Sequence, residues 1–257
     1  MKVVILCGGL GTRLKEETEF RPKPMVYIGD KPILWHIMKT YAHYGFNDFI
    51  LALGYKGGMI KDYFHNYELM NSDMTIELGN PENKIVHQNH DEIGWHITLA
   101  DTGQYTLKGA RLKKLEKYVD GDEFMMTYGD GVGDINIPAL LKFHKSHGKT
   151  ATVTGVIPVS QYGKLSVQKD NVAIFAEKPM SDSFVSGGFF VFNRDIFKHL
   201  RDDDSCDLER GTLEKLSQRE QVKVYKHKGF WASMDNIRDM EYLNRLWNEK
   251  RAKWKIW

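Results

Sequence analysis

Four charged side chains stand where this chain could handle a polyphosphate: Arg13 after Gly8-Gly-Leu-Gly-Thr12, Lys23 between two prolines, Asp130 between Gly129 and Gly131, and Asp235 after Gly229-Phe-Trp-Ala-Ser-Met234. The glycines need a tight turn and leave no Cβ between an anion and the backbone, so successive N–H groups make a concave positive surface. Arg13 adds a planar fork and Lys23 a point charge, the two donor shapes a triphosphate uses. Asp130 and Asp235 offer hard oxygens, and two carboxylates with phosphate oxygens and water complete the octahedron that magnesium requires. Taken singly, Asp130 reads equally as a turn residue bonded to its own backbone, and the glycines as an ordinary strand-to-turn junction.

The glycine stretch fits neither G-x-x-x-x-G-K-[ST] nor the G-x-G-x-x-G of dinucleotide binding. It closely resembles the signature of the nucleotide-sugar pyrophosphorylases, through Gly8, Gly9, Gly11, Thr12, Arg13 and Leu14 followed by Lys23-Pro24. Asp101-Thr102-Gly103 and Gly109-Ala-Arg111 resemble the cytidylyltransferase branch of that family, whose substrates are CTP and glucose 1-phosphate; the likeness runs through nearly the whole chain.

The resemblance implies a magnesium-dependent transfer that yields CDP-glucose and pyrophosphate and feeds CDP-sugar or surface-polysaccharide synthesis. It places the nucleotide on Leu6, Gly8, Gly9, Gly11, Thr12, Arg13, Lys23, Gly54, Thr102, Gly103, Arg111 and Gly129. The sugar phosphate falls to Tyr128, Gly163, Glu177, Lys178, Ser186, Gly187 and Gly188, and Mg2+ to Asp130 and Asp235. The catalytic set is then Arg13, Lys23, Asp130, Lys178 and Asp235, with Arg13 on the β and γ phosphates, Lys23 on the α-phosphate and Lys178 on the acceptor phosphate.

Kinship also implies a homo-oligomer. The chain departs from the glucose enzymes' pattern at Lys164, Ser186, Gly211 and Thr212, all on the acceptor side, which leaves room for a different sugar 1-phosphate or other small phosphate. A uridylyl or thymidylyl transferase and a non-catalytic sugar-nucleotide-binding subunit are the rival readings. A glycosyltransferase would be expected to carry D-x-D at a strand end.

These side chains must be positioned by an α/β scaffold. Residues 1–7 and 48–54 read as buried strands and 32–41 as a helix, a β-α-β unit. Helices follow over 57–65, 109–118 and 137–147, and strands over 74–78, 96–100, 123–128 and 150–157. Shorter strands at 164–168, 171–176 and 184–192 read as antiparallel members joining the same sheet. Helices at 195–200 and 207–218, a strand at 222–227 and a helix over 236–250 complete the chain, and Trp247, Trp254 and Trp257 either cap the fold or make a subunit contact.

The expected fold is Rossmann-like, a mostly parallel mixed sheet flanked by helices, with ligands beyond the carboxyl ends of the strands. The resemblance gives it the nucleotide-diphospho-sugar transferase topology. The reading is one domain over 1–257, its first 150 residues a nucleotide half and 151–257 a sugar-phosphate half.

With 36 basic and 34 acidic residues, the net charge of +2 provides no global field to recruit nucleic acid or a membrane. Two distant cysteines make no disulfide framework, which points to a reducing cytoplasm. The run before Gly8 is too short for a signal-peptide core, no stretch approaches the roughly 18 apolar residues of a membrane span, and the ten histidines show no zinc-ligand spacing.

Overall fold

The computed structural model describes the chain apart from residues 81–82, 88–89, 159–163, 168–172 and 177–182, and gives the backbone alone for 164–167 and 173–176. Seven strands form the central sheet: β1 (Lys2–Leu6), β2 (Asp48–Leu53), β3 (His96–Asp101), β4 (Glu123–Tyr128), β5 (Ala151–Val156), β6 (Val185–Asn193) and β7 (Val222–Lys226). Their order is β7-β5-β6-β4-β1-β2-β3. Only β6 runs antiparallel to its neighbours, so the sheet is mixed and mostly parallel, as the alternation of strands and helices predicts.

The strands read as apolar runs because both faces are covered. Val3 and Ile5 of β1 face one cluster with Phe49, Leu51, Met125 and Val191, while Val4 and Leu6 face another with Ile50, Ala52, Met126 and Phe190. Helix α1 (Ile33–His43) covers the first face through Ile33, Leu34, Ile37, Met38 and Tyr41, and the face predicted from sequence is fully buried. Further helices are α2 (Gly57–His65), α3 (Lys108–Lys114), α4 (Ile137–His147) and α5 (Ile237–Asn248).

Two local expectations need correction, and a third gains its partner. Among the described residues, Lys164–Val167 and Ala173–Ala176 pair with each other and not with the central sheet, whose antiparallel member there is β6. The strand expected over 74–78 is present as Asp73–Ile76 and pairs in a separate ribbon with Lys84–His87. The helix expected over 207–218 is broken: Leu208–Leu213 forms a π-turn in which Arg210 and Gly211 leave helical geometry, and the α-helix proper is Glu214–Gln218.

The tryptophan tail caps α1. Trp254 is fully buried and stacks on Phe230 at 5.5 Å, Trp247 meets His36 edge-on at 4.7 Å, and Trp257 meets Trp35 at 5.7 Å. Trp254 Nε1 donates to His36 Nδ1 at 3.4 Å, which leaves His36 Nε2 to donate to the Ile28 carbonyl at 2.9 Å. Both bonds are made by the neutral ring, and burial pushes the His36 pKa down to about 4.

Candidate active site

The glycine turn leaves β1 at the carboxyl edge of the sheet, and Asp130 leaves β4, the strand paired with β1. What carries Asp235 to the same place is a ribbon without sequence signal: Gly131–Gly133 pairs antiparallel with Trp231–Ser233, and Met234 N donates to Asp130 O at 2.8 Å. Helix α5 then holds Asp235 from behind. Its capping box joins Asn236 and Asp239, and the spare capacity of Asp239 Oδ2 accepts the Asp235 backbone N–H at 2.9 Å.

Lys23 opens a tight turn, Lys23–Met25, whose Pro24 ring packs where Gly129 lacks a side chain; a Cβ there would lie 2.9 Å from Pro24 Cγ. The turn aims the ammonium between the two aspartates. Lys23 Nζ is 2.6 Å from Asp130 Oδ2 and 2.7 Å from Asp235 Oδ1, with the lysine side chain only 12% exposed. Arg13 Nη2 reaches Asp235 Oδ1 at 2.9 Å from a side chain that is otherwise 75% exposed. Burial would raise the Asp235 carboxyl, but the hydrogen bond and charge of Lys23, with Ser233 and Arg13, hold it below the ordinary carboxylate value.

These groups border a cavity of about 440 Å³. Leu6, Gly8, Gly9, Gly11, Arg13 and Lys23 line it on the side of the glycine turn, and Arg111, Tyr128, Gly129, Asp130, Ser186 and Asp235 line it elsewhere. Thr12, Gly54, Thr102, Gly103, Gly187 and Gly188 are absent from the lining. Gly163, Glu177 and Lys178 lie outside the described residues.

Arg111 does more than a helix-surface residue would. It is buried, Nη1 donates to the carbonyls of Leu53 (3.1 Å) and Gly103 (2.6 Å) and to Thr102 Oγ1 (2.8 Å), and Nη2 donates to the Gln104 carbonyl (3.1 Å). One guanidinium thus ties the end of β2 to the loop after β3. It also accounts for two glycines: a Cβ on Gly8 would lie 2.2 Å from Arg111 Nη1, and one on Gly54 2.5 Å from the same atom.

On the opposite wall, Ser186 borders the cavity while the two glycines after it shape β6. Gly188 has φ +79° and a Cβ there would lie 2.7 Å from the Tyr128 ring, and the β5–β6 register shifts between Val153 and Gly155. The bulge is therefore real. Gly187 turns its carbonyl to Trp231 Nε1 at 2.9 Å.

Sequence reading missed Lys108, Ser233 and Glu209. Lys108 lies 5.1 Å over the Tyr128 ring, and both Lys108 Nζ and Tyr128 Oη donate to Glu209 Oε1. Burial, then the Glu209 charge, raises the Tyr128 pKa, so the phenol stays a donor. No motif announces this trio; it is assembled by the π-turn packing on α3.

The donor chemistry suits a divalent metal. Two carboxylates converge on one cation at hydrogen-bond distance, and among the described residues no cluster of three or more His, Cys, Asp or Glu exists that would make a self-sufficient protein site. A hard metal bound here would draw its remaining ligands from phosphate and water, which is the habit of Mg2+.

A family model described as nucleotidyl transferase matches residues 2–248. The glucose-1-phosphate cytidylyltransferase of Salmonella typhi is 48% identical over 259 aligned residues, covering 100% of this chain and 100% of its own, and that of Salmonella typhimurium is 47% identical with the same coverage. The solved structure of HddC from Yersinia pseudotuberculosis has this fold, with a TM-score of 0.69 at 22% identity over 96% of this chain and 99% of that one. Matched by that family model along almost its entire length, and sharing that length with curated cytidylyltransferases, the chain belongs to the nucleotidyl transferase family.

Proposed function

We propose that the protein transfers the cytidylyl group of CTP to the phosphate of glucose 1-phosphate. A phosphate oxygen of the sugar attacks the α-phosphorus in line, the bond from that phosphorus to the bridging oxygen breaks, and pyrophosphate leaves. The acceptor is already anionic, so no general base is required. The protein's work is alignment and charge neutralisation between two polyanions.

The observation that carries this reading is the meeting of Lys23 with Asp130 and Asp235 beside the glycine turn, within 2.7 Å, from parts of the chain more than 100 residues apart. Backbone N–H groups of the turn and Arg13 would hold the outer phosphates, and Lys23 the α-phosphate. Asp130 and Asp235 would hold Mg2+, which when bound supplies positive charge to phosphate oxygens. Lys178 would meet the acceptor phosphate. The full-length identity to glucose-1-phosphate cytidylyltransferases supports CTP and glucose 1-phosphate as substrates. Kinship supports a homo-oligomer that serves CDP-sugar synthesis, and two free buried cysteines suit a reducing cytoplasm.

The test is pyrophosphate release from CTP, UTP, dTTP and GTP with a panel of sugar 1-phosphates and other small phosphates, because Ser186, a departure from the glucose pattern, lines the cavity. CTP with glucose 1-phosphate should exceed every other pair. Asp130→Asn should lose at least a hundredfold in kcat while its circular dichroism and melting temperature stay near wild type. Undiminished turnover in that variant would remove the role given to Asp130.

A further inference from the structure

We infer that Lys23 is an internal counter-ion: in the free protein its ammonium occupies the place between Asp130 and Asp235, and it vacates that place only when a triphosphate offers it other oxygens. The inference rests on the functional reading above. Its consequence is an order of assembly. A divalent ion cannot settle on the two aspartates by itself and enters together with the nucleotide.

The argument is one of charge and burial. Two aspartates, Lys23 and Arg13 sum to zero net charge within a few ångströms, at 2.6, 2.7 and 2.9 Å, so the nucleotide-free site is electrically closed. Lys23 is 12% exposed, against 75% for Arg13, so the lysine cannot simply turn out into water as the arginine can. A bare metal ion would have to break both of its charge-assisted bonds and leave a nearly buried ammonium unpaired, a costly state. A metal–triphosphate complex brings the replacement acceptors with it. Metal and nucleotide are then coupled, and coupling is reciprocal: each raises the other's affinity by the same factor.

The base of the lysine side chain lies beside the glycine turn, since a Cβ on Gly11 would sit 3.5 Å from Lys23 Cβ, an ordinary contact distance. Movement of the flexible four-carbon stem is enough to carry the ammonium from carboxylates to a phosphate lying over the glycine turn. No backbone rearrangement is needed.

The measurement is Mn2+ binding followed by electron paramagnetic resonance on the full chain, without acceptor, with and without CTP. The nucleotide-free wild type should bind Mn2+ on the order of 10- to 100-fold more weakly than Lys23→Met, the usual range of such couplings. Adding Asp130→Asn to Lys23→Met should abolish the gain. Lys108→Met serves as the field control, because it removes one positive charge from the same cavity but from a lysine bonded to Glu209.

Equal Mn2+ affinity in wild type and Lys23→Met, or an equal gain in Lys108→Met, overturns the inference. So does a tight Mn2+ site in the nucleotide-free wild type, a result that needs no variant to fold. If the wild type fails to bind CTP at all, the functional reading falls and takes this inference with it; if CTP binds while Mn2+ affinity is indifferent to Lys23, only the inference falls.

Discussion

At Gly8 the backbone passes so near the Arg111 guanidinium that a methyl group would sit 2.2 Å from Nη1, while at Gly9 an added Cβ meets nothing within 4 Å. Adjacent glycines of one motif therefore have different reasons to be glycine. Gly8→Ala should cost about 1–3 kcal/mol by overpacking against a buried, fully engaged side chain, read as a fall in the urea midpoint. Gly9→Ala should leave stability within about 0.5 kcal/mol of wild type, and any effect should appear instead in the KM for CTP. The spacing of the glycines, Arg13 and Lys23 made this side of the cavity legible in the sequence. That Gly8 and Gly54 answer to Arg111 was not, because the contact joins four segments and only coordinates bring them together.

Among the elements, helix α5 acts on the site from outside it. Asp239 caps α5 by accepting the Asn236 N–H on Oδ2, and with the same oxygen it accepts the Asp235 N–H, so Asp239→Ala should lower stability by about 1 kcal/mol and also lower kcat, since the carboxylate it steadies loses its fixed position. A melt and a rate on the same preparation check both.

Helix α1 is clasped by the tryptophan tail around a neutral His36. Its folded pKa of about 4 lies below the ordinary 6.5, so the unfolded chain takes up a proton that the folded ring refuses. This contribution is complete above pH 6.5 and is lost as pH falls from 6.5 towards 4, roughly 3 kcal/mol in all. Unfolding by urea at pH 7.5 and 4.5 should show the loss, and His36→Leu should flatten that part of the profile. Periodicity in the sequence placed α1 and its buried face correctly. The tail's tryptophans were legible as a cap, but their closure on His36, like the pairing of Gly131–Gly133 with Trp231–Ser233, left no local trace because the partners are some two hundred and a hundred residues apart.

For the molecule as a whole, one sheet with both faces covered supports everything else, and the tail belongs to the cover on one face. Trp254 is fully buried in the cluster that contains Val3, Ile5 and the apolar face of α1. Trp254→Ala should cost about 3–5 kcal/mol and lower the melting temperature, whereas a tryptophan serving only a subunit contact would change the association state first; calorimetry with light scattering separates the two.

Neighbouring residues alone made legible the class of fold, the glycine turn and the two aspartates that line the cavity, because a strand's apolar run, a turn's glycines and a lysine between prolines are properties of adjacent positions. Only the folded chain shows that Lys23 stands between Asp130 and Asp235, that Arg111 is a clamp across loops, and that Lys108 and Tyr128 meet on Glu209. Each of these depends on the order in which parallel strands pair and on where the long connections return, and such pairing is settled by the sum of many burial contacts across the sheet.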